Sequence, residues 1–144
     1  MKLKDSLQSS RIHAIAYALL RGSIGILLTV NGCNTWQALP DGSIQDFPDP
    51  IGVGSELSLY LVIFAELICG LAIALGLLTR LASLPVMMTF IVAVFLVHGN
   101  DPFDVKQPAI LYLVASLYFI AKGSGLFSLD RSIALYLAKK EQRR

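Results

Sequence analysis

The segment "AYALLRGSIGILLTVNG", from Ala16 to Gly32, has the apolar content of a membrane-spanning helix, yet it contains Arg21. A permanent cation at membrane depth costs about 2.5–3.5 kcal/mol on insertion scales, so it needs a partner. Helical spacing places Arg21 on a strip of small and apolar residues that consists of Ala14, Ala18, Gly25, Leu28 and Gly32. Because small residues let helices pack closely, this strip is predicted to carry Arg21 into a helix bundle.

The composition extends this interpretation to the whole chain. Its 144 residues are 55% hydrophobic and 15% charged, and the mean hydropathy of +0.65 exceeds that of an ordinary soluble domain. We therefore predict an all-α membrane protein, a four-transmembrane-helix bundle that forms a single domain over residues 1–144. The predicted elements are helices at about 13–32, capped by Ser9 or Ser10, 57–78, 81–98 and 106–122, an outer loop at 33–55 and a short amphipathic C-terminal helix at 129–140.

The positive charges are distributed unevenly. Ten of the twelve Lys and Arg residues lie in the N-terminal tail, the turn between the second and third helices, and the C-terminal segment. Cytoplasmic loops carry an excess of such residues, so both termini are predicted to be cytoplasmic. The net charge of +2 is too small to indicate nucleic acid as a partner, and the expected partner is the lipid bilayer.

Glu66 is the acidic counterpart of Arg21 in the predicted bundle, since it lies on a strip of the second helix that contains Gly70. Arg21 lies about 12 Å from the cytoplasmic end of its helix and Glu66 about 18 Å from the cytoplasmic end of the next. An Arg side chain can extend across that offset. We predict an intramembrane ion pair between Arg21 and Glu66, which either only ties two helices together or also serves a functional site.

A second group of polar residues is predicted at the outer end of the bundle. It contains His98, Glu56, Asn31, Asn34 and Cys33. Such a group could hold an anionic or quinone-like head group or relay a proton, because histidine titrates near neutral pH. The alternative is a histidine that closes a helix interface and forms only local hydrogen bonds.

The cysteines and histidines indicate no familiar catalytic or metal motif. Cys33 and Cys69 are separated by about 20 Å in predicted depth, too far for a disulfide. Cys69 suits a packing role, whereas Cys33 is either a reactive thiol or an inert one. The two histidines lie far apart, and no Cys-x-x-Cys, nucleophilic triad or phosphate-binding loop occurs, so no metal site is predicted and catalytic residues stay unassigned.

Four segments carry a family resemblance: "LLRGSIGILL", "FAELICGLAIALGLLTRLASL", "VHG" and "GLFSLD". Together they resemble the DoxX family of small bacterial four-helix membrane proteins over nearly the whole chain. The resemblance implies that Arg21, Glu66, Arg80 and His98 match recurring polar positions. It extends to the membrane subunit of thiosulfate:quinone oxidoreductase, and it implies a redox or thiol-stress role in the bacterial cytoplasmic (inner) membrane, with sulfurtransferase and superoxide-detoxifying partners for some members.

Three functional hypotheses follow. The first is a subunit or accessory of a membrane redox system, with quinone as the candidate cofactor and membrane or peripheral redox proteins as partners. In this hypothesis the chain is at most one subunit of a quinone-linked oxidoreductase. The second is a small transporter, which would have to be oligomeric because four helices are few for alternating access. The third is a structural scaffold that acts through its outer loop and basic tail. A homo-oligomer is expected.

Overall fold

The structure is a computed structural model that describes residues 2–37, 44 and 47–142, with side chains from residue 10 onward. It contains five helices, namely α1 (Lys2–Gln37), α2 (Ser55–Leu75), α3 (Thr79–Val97), α4 (Phe103–Lys122) and α5 (Leu129–Glu141). Four of them, α1 from Ser10 and the whole of α2, α3 and α4, are long and apolar enough to cross a membrane. The predicted all-α membrane bundle is confirmed, while the cytoplasmic placement of the termini stays a prediction.

Helix α1 extends beyond its predicted limits at both ends. It begins at Lys2 and runs through Ser9 and Ser10, which therefore do not cap it. It continues to Gln37, so residues 33–37 are helical and not part of the outer loop. No Gly or Pro interrupts those residues, and the Thr35 hydroxyl donates to a carbonyl one turn earlier at 3.1 Å, as is common within helices.

The turn between α2 and α3 ends α2 three residues earlier than predicted. Gly76 adopts the left-handed conformation with φ 72°, and its N–H donates to the Ile73 carbonyl at 3.1 Å. The N–H of Leu77 donates to the Ala72 carbonyl at 2.9 Å, which completes a Schellman motif. Leu78 is also left-handed, with φ 45°, so the chain reverses within three residues and α3 starts at Thr79.

Glycines bring the backbones of α1 and α2 into direct contact. A Cβ atom at Gly25 would lie 2.6 Å from the Cα of Ala74, and one at Gly32 would lie 2.5 Å from the Leu67 nitrogen. From the other side, a Cβ at Gly70 would lie 2.9 Å from the Cβ of Leu28. The two helices therefore pack more closely than any larger residues would permit.

Two of the spanning helices contain π-helical turns, at Phe64–Cys69 in α2 and Ala93–Val97 in α3. Such turns insert an extra residue into a helix and occur often at functional sites. Glu66 lies within the first turn and His98 directly follows the second. On the outer surface of the bundle, large apolar side chains such as Phe95 and Leu81 are more than half exposed, as expected of a surface that faces lipid.

Candidate functional site

Arg21 is held by backbone carbonyls at the end of α2. Its side chain is 3% exposed, and Nη1 donates to the carbonyls of Ile73 and, at 3.0 Å, Ala74. Nη2 donates to the Phe127 carbonyl at 2.8 Å. The last carbonyls of a helix lack partners within it, and the helix dipole favours a cation there. The bundle thus accommodates a buried cation by using it to cap a helix C-terminus.

The predicted ion pair between Arg21 and Glu66 does not form. Within the described part of the chain the ion pair present is between His98 and Asp101. Ile73 lies two turns beyond Glu66 along α2, or about 10 Å, and Arg21 extends toward Ile73. The prediction was wrong because it considered only carboxylates as partners, whereas the guanidinium binds the carbonyls of Ile73 and Ala74 at the end of α2.

Two glycines allow this arrangement to close. A Cβ atom at Gly76 would lie 2.7 Å from Arg21 Nη1 and 2.7 Å from the Cβ of Ser128, so any larger residue would push the guanidinium away. A Cβ at Gly125 would lie 2.8 Å from the ring of Tyr17. That ring is buried, and the Tyr17 hydroxyl donates to the Gly123 carbonyl. The residues after α4 are therefore packed against α1 as well as α2.

Asp130 joins the residues after α4 to the turn between α2 and α3. Its two carboxylate oxygens accept the Leu78 N–H at 3.0 and 2.9 Å, and one also accepts the Ser124 hydroxyl. Nearby, the Ser128 hydroxyl accepts the Arg131 N–H and caps α5. The segment of residues 123–130, called here the latch, thus satisfies donors and acceptors that the turn leaves open, which gives "GLFSLD" a structural role.

A polar layer crosses the middle of the bundle. The amide of Asn31 donates to the Tyr112 hydroxyl at 3.3 Å, and the Tyr112 ring stacks on Phe90 with centroids 4.9 Å apart. Gly32 contacts the backbone of Leu67 on the antiparallel helix α2, so Asn31 and Glu66 differ in depth by only about 3 Å. We call Asn31, Glu66 and Tyr112 the Glu66 layer.

Glu66 is the unsatisfied member of this layer. Its side chain is 9% exposed, and it has no hydrogen-bond or ion-pair partner among the described residues. It lies close enough to Tyr112 for an electrostatic interaction. A lone charged carboxylate at membrane depth is costly, and a bound proton or a ligand that donates a hydrogen bond would remove that cost. The layer therefore has the features of a proton- or ligand-binding site.

Among the described residues, hydrogen bonds do not join the five residues predicted at the outer end into one group. His98 Nδ1 contacts Asp101 Oδ2 at 2.7 Å. The His98 side chain is 34% exposed and the Asp101 side chain is 44% exposed. Across the described ranges, no hydrogen bond joins His98 to the other four members, which are Glu56, Asn31, Asn34 and Cys33. Asn31 belongs to the Glu66 layer instead, and a head-group role for His98 stays a prediction.

The loop before α2 is organised by Asp49. Its carboxylate accepts the N–H of Gly54 at 2.7 Å, the N–H of Val53 at 3.0 Å and the Ser58 hydroxyl at 2.8 Å. These hydrogen bonds, that from Gly54 above all, hold the pKa of Asp49 below its ordinary value. The ionised carboxylate therefore fixes the entry of the chain into α2.

Sequence reasoning missed three side chains that build these sites: Tyr17, Tyr112 and Asp130. Each contacts a residue far along the chain, and a helical pattern reveals only neighbours on one helix. The quoted "GLFSLD" segment was the single signal for Asp130. Cys33 and Cys69 are both free thiols, and no cluster of three His, Cys, Asp or Glu side chains suited to a metal occurs among the described residues.

Comparison with known proteins places these features in a family. The family model for DoxX matches residues 16–99, which include Arg21, Glu66 and His98. The chain is also similar to the Bacillus subtilis (strain 168) protein named "Putative oxidoreductase CatD", at 33% identity over 122 residues that cover 81% of this chain and 85% of the relative. No solved structure matches. The chain belongs to the DoxX family, and its structure contains four helices long and apolar enough to cross a membrane.

Proposed function

We propose that this DoxX protein is a subunit or accessory of a membrane redox system, in which the Glu66 layer binds the oxygen-bearing head group of a lipid-soluble redox molecule of the quinone class. The observation that carries the proposal is Glu66, a residue that is only 9% exposed and whose carboxyl has no hydrogen-bond or ion-pair partner among the described residues. The oxidoreductase name of the Bacillus subtilis relative supports the same class of chemistry. A membrane or peripheral redox protein is proposed as the electron donor.

The residues of the layer fit such a head group. The Glu66 carboxyl can accept a hydrogen bond from a hydroxyl, or hold and release a proton. The Tyr112 hydroxyl accepts from Asn31, which leaves its own O–H to donate to a carbonyl oxygen. The stacked rings of Tyr112 and Phe90 add a flat apolar surface beside these groups. A quinone, when bound, supplies the capacity to take up two electrons and two protons.

The test is to purify the protein gently from membranes, extract it and measure the bound quinone. Glu66→Gln keeps the shape of the side chain but removes its ability to exchange a proton, and it is expected to lower the retained quinone by about tenfold or more. Glu56→Gln is the matched control, because Glu56 is exposed at the start of the same helix. Equal retention by the two variants, or no quinone in the unaltered protein, would overturn the proposal.

The same experiment separates the Glu66 layer from the outer end of the bundle. His98→Ala removes the imidazole that contacts Asp101 without touching the layer. We expect His98→Ala to retain quinone like the unaltered protein. If it alone lost the quinone, the head group would bind at the His98 end and the assignment to Glu66 would be wrong.

We further propose that the protein resides in the bacterial cytoplasmic membrane as a homo-oligomer, with both termini in the cytoplasm. The excess of Lys and Arg at the termini, together with Arg80 at the start of α3, supports this orientation. Fusions of alkaline phosphatase and of green fluorescent protein to the C-terminus test it. Fluorescence without phosphatase activity is expected, and the opposite pattern would contradict the orientation.

A further inference from the structure

A cavity opens beside the latch, at the end of the bundle where α3 begins and α4 ends. It has a volume of about 340 Å³, near the lower limit of the usual range for ligand sites. Its wall combines the first residues of α3, the last residue of α4 and part of the latch, and it is formed by Leu78, Thr79, Arg80, Leu81, Lys122, Gly123, Ser124 and Asp130. Nothing in the proposed redox function uses it.

The charges that line the cavity favour an anion. Arg80 and Lys122 contribute two cations from different helices, and both side chains are exposed. The one carboxylate in the wall, Asp130, already accepts the Leu78 N–H through both oxygens and the Ser124 hydroxyl. These donors hold the carboxylate against the turn without cancelling its charge, so two cations and one anion leave the wall of the cavity with a net charge of +1.

The position and the apolar rim favour an amphiphile. Thr79 and Lys122 are terminal residues of membrane-spanning helices, so the cavity lies at the depth of lipid head groups. Leu78 and Leu81 line the same cavity and are 59% and 62% exposed, which places apolar surface directly beside the two cations. An acyl chain could pack on these leucines while the cations bind the group that carries the negative charge.

The latch gives the cavity a defined shape. A Cβ atom at Gly123, which has φ 77°, would lie 3.0 Å from Arg80 Nε, so the chain passes tightly behind that guanidinium. The Arg80 Nη2 donates to the Ala121 carbonyl at 3.3 Å. Arg80 is thereby directed toward the end of α4, where Lys122 lies over the Tyr17 ring at 5.9 Å from its centroid. Both residues line the same cavity.

We propose that this cavity is a binding site for a phosphate group at the membrane surface, with Arg80 and Lys122 as its cationic ligands. Basic cavities between spanning helices are suited to phospholipid head groups. An arginine fork matches the oxygens of a phosphate, and a lysine ammonium adds a point charge. The phosphate group could belong to an anionic lipid or to free inorganic phosphate, and the two sources are distinguished by experiment.

The test uses the full chain in mild detergent and native mass spectrometry. The protein is incubated with equal amounts of phosphatidylglycerol and phosphatidylcholine, or with inorganic phosphate alone. Each cation near an anionic lipid strengthens binding by about fivefold, so the double variant Arg80→Gln, Lys122→Gln is expected to weaken retention of phosphatidylglycerol by about 25-fold. Retention of phosphatidylcholine is expected to change little.

The matched control is the double variant Lys139→Gln, Lys140→Gln. It removes the same charge from exposed positions of α5 that do not line the cavity. We expect this control to retain phosphatidylglycerol nearly as well as the unaltered protein. Equal losses in the two double variants would show only general attraction to a basic surface and would overturn the site. Equal retention of both lipids by the unaltered protein, together with no binding of inorganic phosphate, would also overturn it.

The phosphate arm identifies the source of the bound group. If inorganic phosphate binds the unaltered protein and is lost in the Arg80, Lys122 variant while phosphatidylglycerol shows no preference, the site takes a free anion. Preference for phosphatidylglycerol without phosphate binding assigns it to lipid. Thermal unfolding of each variant provides the folding control. It is expected to be unchanged, because both altered side chains are exposed and Arg80 makes one long hydrogen bond.

Discussion

Replacement of Arg21 tests the capping arrangement most directly. In Arg21→Met a side chain of similar length loses all donors, and the carbonyls of Ala74 and Phe127 lose their partners. The Ala74 carbonyl cannot turn to its usual helical donor, the Leu78 N–H, because Asp130 accepts it. Ile73 keeps the Gly76 N–H. Two lost charge-assisted bonds at about 1.5–3 kcal/mol each give an expected destabilisation of about 3–6 kcal/mol.

The assay is reversible unfolding in mixed micelles, followed by circular dichroism to obtain the free energy of unfolding. Arg21→Lys keeps the charge but lacks the planar fork that spans α2 and the latch, so we expect about half the loss, on the order of 1.5–3 kcal/mol. A double-mutant cycle then separates the capping role from an ion pair. Arg21→Met and Glu66→Gln are expected to add within about 0.5 kcal/mol, since the two groups share no partner.

Two outcomes would refute this reasoning. A loss below about 1 kcal/mol for Arg21→Met would mean that the carbonyls of the helix end do not depend on the guanidinium. A coupling energy above about 1 kcal/mol between Arg21 and Glu66 would restore the ion pair that the structure does not contain. By contrast, Arg21→Met and Asp130→Ala are expected to be non-additive, because both residues hold the same turn.

Three further predictions concern single sites. Gly25→Ala is expected to destabilise the contact of α1 with α2 by about 1–3 kcal/mol, because its Cβ would lie 2.6 Å from the Cα of Ala74. The control is Gly22→Ala, which has open space within 4 Å and is expected to stabilise α1 by about 0.5–1 kcal/mol. Equal effects of the two substitutions in the same unfolding assay would contradict the close packing of α1 on α2 at Gly25. Asp130→Ala is expected to cost about 1–2 kcal/mol by the same measurement, as loss of a capping carboxylate usually does, and an unchanged stability would remove the latch from the fold. The hydrogen bonds of Asp49 should stabilise the loop fully at pH values above the ordinary aspartate pKa of 3.8, and this stabilisation should be lost as the pH falls through the lowered pKa of Asp49. An NMR titration of the loop measures that pKa, with Asp49→Asn as the control that lacks the titrating group. A midpoint at or above 3.8 would contradict the prediction.

The membrane class and the number of spanning helices followed from hydropathy alone. Each spanning helix must satisfy its own backbone in lipid, so long uncharged runs have few alternatives to helix. The ends of the helices were less predictable. Residues 33–37 are helical because nothing in them stops a helix, and α2 ends at Leu75 because Gly76 turns left-handed, a local choice that the latch supports from far along the chain.

The candidate sites show the same division. The pattern of small residues indicated that Arg21 enters the bundle, and it does so, but the carbonyls that bind it come from residues 52 to 106 positions away. Glu66 was recognised as a buried polar residue, whereas its layer with Asn31 and Tyr112 depends on how α1, α2 and α4 pack. Helical periodicity describes faces of one helix and carries no information on which face of another helix meets it.

The sequence by itself determined that this protein is a four-helix membrane bundle of the DoxX family with charged residues at membrane depth. The tertiary structure alone decided what those charges do. Arg21 caps the C-terminal end of α2, and Glu66 remains without a partner among the described residues. The reason is that a guanidinium in low dielectric binds the nearest available acceptors, and only the packed chain brings the carbonyls of α2 and the latch to Arg21.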